Sequence, residues 1–248
     1  MNLFCNDDNF LPIALPSTTG YDYRWVESIK MFEINIPNGK VLYNPTYFDK
    51  LTSDYYLKHL LANSNNLEPL KTDWRLFEKE KLDAINFVNI GWHHDSIKMY
   101  CKDVFLPRYS AWHGDSDKPY TYSGLTLSPK PWYTGLLEIK KKIEITANTE
   151  FNSVLLNWYR DGADYIGWHT DAERELGKNP IIGSVNFGAT RNFQIRRIDN
   201  NAEIISFPLS HGTVLIMMGE LQHFWQHAVP KEKKINTTRI NLTFRTIK

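Results

Sequence analysis

Residues 181–218 read IIGSVNFGATRNFQIRRIDNNAEIISFPLSHGTVLIMM, and this stretch decides the fold. Four short runs of branched and aromatic residues, Ile181–Phe187, Asn192–Arg197, Glu203–Phe207 and Thr213–Met218, are punctuated by Gly, Asn and Asp. Runs of this length between turn residues read as strands. The pattern continues on both sides, with Asn152–Tyr159 and Tyr165–His169 before it and Trp225–Val229 and Arg239–Arg245 after it. Eight closely spaced strands predict an antiparallel sandwich or jelly roll over residues 151–248. In the last run Arg239, Asn241, Thr243 and Arg245 share one face, while Ile240, Leu242 and Phe244 share the other.

The earlier half carries fewer strands. Met31–Ile36 and Lys40–Tyr43 flank Pro37-Asn38-Gly39, whose Asn-Gly pair supplies a tight hairpin turn. From Pro45, apolar residues at three- and four-residue steps through Leu61 predict an amphipathic helix that ends at the Asn63–Asn66 cluster. A second helix is predicted from Pro131, with Leu136, Ile139 and Ile143 inward and Lys140, Lys141 and Lys142 on a solvated side. The expected class is mainly β with flanking helices. One domain spans 1–248, divided into an N-terminal extension (1–99), a middle segment with the second helix (100–150) and a jelly-roll core (151–248).

Composition narrows the function classes. Lys and Arg number 29 against 28 Asp and Glu, so no bulk field draws the molecule to a polyanion, and such a partner needs a local patch. The aliphatic run Val214–Met218 is far too short to cross a membrane, and the first residues carry no basic leader. The expectation is a soluble, monomeric protein of the cytosol or nucleus. Cys5 and Cys101 make neither a disulfide framework nor a cysteine zinc site.

Three His-x-Asp pairs occur, at His93/Asp95, His113/Asp115 and His169/Asp171. Any one alone reads more readily as a surface polar pair or a hydrogen-bonded His than as a ligand pair. The third sits at the end of a predicted strand, where two-residue spacing turns both side chains to one face, and His227 lies on a later strand that a jelly roll can bring opposite. Two His and one carboxylate form the facial triad of non-haem Fe(II) oxygenases. Arg239 and Arg245 on one face offer two planar forks for the two carboxylates of a diacid cosubstrate. A wet outer face explains the same alternation, and a non-catalytic jelly-roll binding module also fits these residues.

Further motifs narrow the choice: Pro107-Arg108, Tyr120–Gly124, Leu127–Trp132, Asn157–Gly162, His169-Thr170-Asp171, His211-Gly212 and Arg239–Arg245. Together they resemble the AlkB family of Fe(II)/2-oxoglutarate dioxygenases that repair alkylated nucleic acid bases, most closely its second- and third-homologue branch. The resemblance covers about Leu106–Lys248. It implies a double-stranded β-helix and a nucleotide-recognition lid around Tyr100–Ser128. His169, Asp171 and His227 become the catalytic iron ligands, and His93 and His113 drop out. Arg239 and Tyr159 are implied at the far carboxylate of 2-oxoglutarate, Arg245 and Asn157 at the iron-bound end, and Asn241 and Thr243 between them.

The implied chemistry uses Fe(II), 2-oxoglutarate and O₂ to demethylate N1-methyladenine and N3-methylcytosine. The substrate is alkylated DNA, single- or double-stranded, with RNA or protein as the alternative. A base in a duplex must be flipped out or met in a single strand. The resemblance places Tyr122 against that base, Tyr120 and Glu173 at its edge, and an aromatic wedge at Tyr100. Arg108, Arg196, Arg197, Lys231, Lys233 and Lys234 are the candidate phosphate contacts.

Overall fold

The computed structural model describes residues 10–63, 86–99, 102–116, 120–122 and 125–248, without side chains for 97–99, 102–103, 120–122 and 125–127. The first strands are β1 (Asp22–Val26), β2 (Met31–Ile36) and β3 (Gly39–Asn44), followed by α1 (Lys50–Leu60). Then come β4 (Ser96–Met99), β5 (Lys102–Phe105), β6 (Tyr109–Gly114), β7 (Tyr120–Tyr122), β8 (Leu125–Leu127) and α2 (Thr134–Ala147). The C-terminal part holds β9 (Ser153–Tyr159), β10 (Ile166–His169), β11 (Ile182–Gly188), β12 (Arg191–Arg197), β13 (Ile204–Leu209) and β14 (Val214–Met218). It closes with α3 (Leu221–Phe224), β15 (Trp225–Val229) and β16 (Arg239–Arg245).

All eight strands expected after residue 151 form, and they belong to two antiparallel sheets, as the jelly-roll expectation requires. The larger sheet runs β1-β2-β3-β14-β11-β16-β9-β6 and the smaller β10-β15-β12-β13. Their facing sides share one apolar cluster, with Ile34, Tyr43, Leu215 and Met217 from the large sheet and Phe193, Ile195, Phe207 and Trp225 from the small one. The outer side of the large sheet, including Trp158, Val185, Ile240, Leu242 and Phe244, packs under Leu57 and Leu60 of α1 and Leu136, Ile139 and Ile143 of α2.

The large sheet crosses the boundary expected at residue 151. Strand β3 pairs with β14, and β6 pairs with β9, so the hairpin and part of residues 100–150 are built into it. The sequence pattern does not reveal β6, because all six of its residues are buried and no alternation appears. The β2–β3 turn holds Asn38 at φ 61 as the Asn-Gly pair predicts. Helix α1 starts five residues after Pro45, where the Asp49 carboxylate accepts the Thr52 N–H at 2.8 Å. Between β3 and that cap, Asn44 Oδ1 accepts the Thr46 N–H at 2.8 Å and turns the chain instead. Lys141 and Lys142 are exposed on α2, as expected, while Lys140 pairs with Glu144 at 2.8 Å. Among the described residues, no helix is long and apolar enough to cross a membrane.

Candidate metal centre and its cavity

The polar residues of the large sheet's inner side gather at one end of the sandwich. Register places Ser110, Asn157, Asn241 and Asn186 side by side across β6, β9, β16 and β11. Asn157 and Asn241, together with Tyr159, Ser184, Thr243 and three arginines, wall a cavity that is partly open to solvent. The small sheet supplies Ile166, His169, Phe193, His227 and Val229 to the opposite wall. The wet-face reading of β16 fails here, since Arg239, Asn241, Thr243 and Arg245 are all buried.

His169 and His227 are cross-strand partners on β10 and β15, with ring centroids 4.1 Å apart. His169 Nε2 lies 3.9 Å from Asp171 Oδ1, and His227 Nε2 lies 4.0 Å from Asp171 Oδ2. One nitrogen from each imidazole and one carboxylate oxygen lie within 4.8 Å of one another. Among the described residues this is the group of His, Cys, Asp and Glu that could hold a metal ion. His169 Nδ1 donates to the Gly167 carbonyl at 2.8 Å, which leaves the Nε2 lone pair facing the cluster.

The spacing argument for Asp171 needs correction. Strand β10 ends at His169, so strand alternation does not orient Asp171. Two buried contacts place it: Arg245 Nη2 donates to Oδ2 at 2.8 Å, and the Asp171 N–H donates to Gln222 Oε1 at 2.8 Å. Burial alone would raise the Asp171 carboxyl, but the charged Arg245 guanidinium and its hydrogen bond outweigh it and hold the group below the usual carboxylate range. Burial, reinforced by His169, drives His227 down to about 3, so its imidazole is neutral. Both states are the ones that ligate metal.

Arg239 lies over the Tyr159 ring, 4.9 Å from its centroid, and donates Nη2 to Asn186 Oδ1 at 2.6 Å. Its Nε and Nη1 are buried without a hydrogen-bond partner among the described residues. Burial lowers its pKa to about 10. Asn241 donates to Ser184 Oγ at 2.9 Å and accepts from Thr243 Oγ1 at 2.9 Å. The cavity wall thus holds three guanidiniums, Arg108, Arg239 and Arg245, against one carboxylate, Asp171. That balance suits an anionic guest beside a cation.

Other expected site residues fall elsewhere. Arg108, expected at phosphates, is buried in the cavity wall, where Nε donates to Asn157 Oδ1 at 2.8 Å. Arg245 turns toward Asp171, which differs from a fork held solely for the diacid. Glu173 does not line the cavity, yet its Oε2 is buried without a partner among the described residues. Arg196 stacks on Trp168 at 4.2 Å, Arg197 pairs with Asp199 at 2.6 Å, and Lys231 covers Tyr165 at 4.5 Å. The side chains of Tyr120 and Tyr122, and residues Cys5, Tyr100 and Cys101, lie outside the described residues. His93 pairs with Asp95 at 2.8 Å, and His113 Nδ1 donates to the Pro131 carbonyl at 2.8 Å.

Sequence reasoning missed Gln222, Asn186, Ser184 and Phe193. Ser184 and Asn186 carried a readable signal, being alternate polar residues inside the apolar run of β11. Gln222 carried none, because its role depends on α3 folding back against the loop after β10.

Comparison with known proteins agrees with this geometry. A family described as the 2OG-Fe(II) oxygenase superfamily matches residues 75–245. The alpha-ketoglutarate-dependent dioxygenase alkB homolog 3 of Bos taurus is 48% identical over 150 residues, 57% of this chain and 52% of that protein. The DNA oxidative demethylase ALKBH2 of Homo sapiens is 41% identical over 158 residues, 61% of this chain and 60% of that protein. The chain therefore spans roughly half to three fifths of the length of these curated relatives. A solved structure described as "The structure of OsALKBH1" aligns with TM-score 0.52 at 18% identity, covering 85% of this chain and 98% of that one, a likeness in fold.

Proposed function

This chain belongs to the 2OG-Fe(II) oxygenase superfamily, and we propose that it oxidatively demethylates N1-methyladenine and N3-methylcytosine in DNA. The observation that carries the proposal is one cavity that joins a two-His, one-carboxylate cluster to an arginine with two unused buried N–H groups. The donor set fits Fe(II), and the unused donors fit a carboxylate of 2-oxoglutarate. Bound iron, 2-oxoglutarate and O₂ supply the oxidation that hydroxylates an N-methyl group, which then leaves as formaldehyde.

The chain's own residues bind, orient and exclude. In this reading His169, Asp171 and His227 hold the metal, and Arg239, supported by Asn186 and the Tyr159 face, holds the far carboxylate. Asn241, Thr243, Asn157 and Arg245 shape the space between. Arg108 adds positive charge to the wall beside Asn157, and Glu173, which lies outside that wall, enters at the base edge through the resemblance alone. Tyr122, stacked on a base taken out of its duplex, and Tyr120, at that base's edge, enter through the resemblance alone. The proposal further takes residues 100–128 as the recognition lid of a single-domain monomer in the cytosol or nucleus.

The names of the curated relatives favour DNA. The test is formaldehyde release from N1-methyladenine and N3-methylcytosine in single-stranded DNA, duplex DNA and RNA. Release from either DNA form is the expected result. Release from RNA alone moves the substrate to RNA, and no release from any of them removes base demethylation.

A further inference from the structure

Asp171 is the candidate ligand that no strand ladder holds, and the contact on its backbone comes from an unexpected place. Gln222 is 2% exposed, sits on the four-residue helix α3 and lies five residues before His227. Its Oε1 accepts the Asp171 N–H at 2.8 Å, and its Nε2 lies 3.5 Å from Met217 Sδ in the cavity wall. The amide orientation follows from chemistry, since the Asp171 N–H requires an acceptor and a thioether cannot donate. A buried amide with sulfur as its acceptor is a poor stabiliser. The well-made bond of this buried amide is therefore the one it accepts from Asp171.

We propose that Gln222 is a positioning residue for the metal centre. It ties the backbone of Asp171 to the α3–β15 segment that carries His227, so that carboxylate and imidazole arrive in fixed relation. The inference rests on the metal reading of that cavity and adds the group that sets its geometry. Two anchors act on Asp171 from different sides: Arg245 on the carboxylate and Gln222 on the main chain. Loss of the main-chain anchor frees the backbone at Asp171 while the Arg245 contact stays, so the carboxylate is still charged but no longer aimed.

The experiment is anaerobic Co(II) titration followed by visible d–d absorption, on the wild type, Gln222→Met and Gln222→Glu. Methionine keeps the volume and removes the acceptor, whereas glutamate keeps an oxygen at the same place. The expected result is a 10- to 100-fold weaker Co(II) affinity and an altered band shape for Gln222→Met, on the scale of ligand-supporting contacts in metal sites. Gln222→Glu should return to within about threefold of the wild type by the same reasoning. Melting of the metal-free proteins is measured alongside, because a merely structural role lowers stability without rescue of affinity by glutamate. Wild-type affinity and spectrum in Gln222→Met overturn the inference, as does an equal loss in Gln222→Glu. Should Gln222→Met not fold, Gln222→Asn takes its place with an acceptor drawn back by one methylene, and unchanged affinity there overturns it equally. A wild type that binds no Co(II) instead removes the metal reading itself.

Discussion

Replacing Arg239 by methionine should make the metal-free protein more stable and much worse at holding 2-oxoglutarate. Arg239 is 2% exposed, and burial together with the neighbouring Arg191 lowers its pKa from 12.5 to about 10. A drop of that size corresponds to about 3 kcal/mol spent on keeping the charge inside. Methionine fills a similar volume without charge. The partner left behind is not stranded, because Asn186 Oδ1 still accepts from Asn241 Nδ2 at 3.2 Å. Subtracting the roughly 1.5–3 kcal/mol of the lost charge-assisted hydrogen bond leaves a net gain of about 0–1.5 kcal/mol. In a domain of this size that raises the melting temperature by roughly 0–6 °C. The two unused N–H groups are what a carboxylate would meet, and truncating one partner of a buried charged pair costs about 2–5 kcal/mol. The dissociation constant for 2-oxoglutarate, titrated calorimetrically with Mn(II) present, should therefore rise by about 30-fold to several thousandfold. A lower melting temperature with 2-oxoglutarate affinity within threefold of the wild type would refute the reasoning.

Further outcomes follow from other contacts. Asp171→Ala should abolish Co(II) binding and demethylation together. It should also lower metal-free stability by about 3–5 kcal/mol, because Arg245 loses its buried carboxylate; retained turnover would reject the ligand assignment. In the metal-free protein, burial holds His113, His211 and His227 below their ordinary 6.5. The unfolded chain then takes up protons that the folded one refuses, so stability is full above about pH 6.5 and is lost as pH falls below it. His227 alone should account for about 1.4 kcal/mol between pH 7.5 and 5.5. Equal urea midpoints at those two values would contradict this. Gly162→Ala should cost about 2–4 kcal/mol, since an added Cβ meets the Glu232 carbonyl oxygen at 1.8 Å. Gly167→Ala, with nothing within 4 Å, serves as the near-neutral control in the same melt.

The strands of the C-terminal half could be read because each is short, branched and ended by turn residues, and β16 even showed which side chains face inward. Strand β6 escaped because burial on both sides erases alternation, so Tyr109–Gly114 looks like any apolar stretch. His169 was placed for the right reason, on a strand end opposite His227. Asp171 was placed for the wrong one, since the chain has left the ladder before reaching it. What aims Asp171 is a guanidinium 74 residues away and an amide 51 residues away. Such pairs leave no local pattern. Arg108 shows the same limit from the other side: nothing in Pro107-Arg108 distinguishes a surface cation from one sealed beside Asn157.

The pairing of β3 with β14 carries a consequence for how the polypeptide is made. Tyr43 lies opposite Leu215, so the hairpin leaves the ribosome well before its sheet neighbour, which lies 172 residues downstream (215 − 43). At about 5–20 residues per second, roughly 10–30 s pass before that neighbour is synthesised. Throughout that interval Val41, Leu42 and Tyr43 present an open, apolar strand edge, a template for unwanted pairing between nascent chains. That open edge predicts that yield in a host responds to slower growth and lower temperature before any catalytic property does.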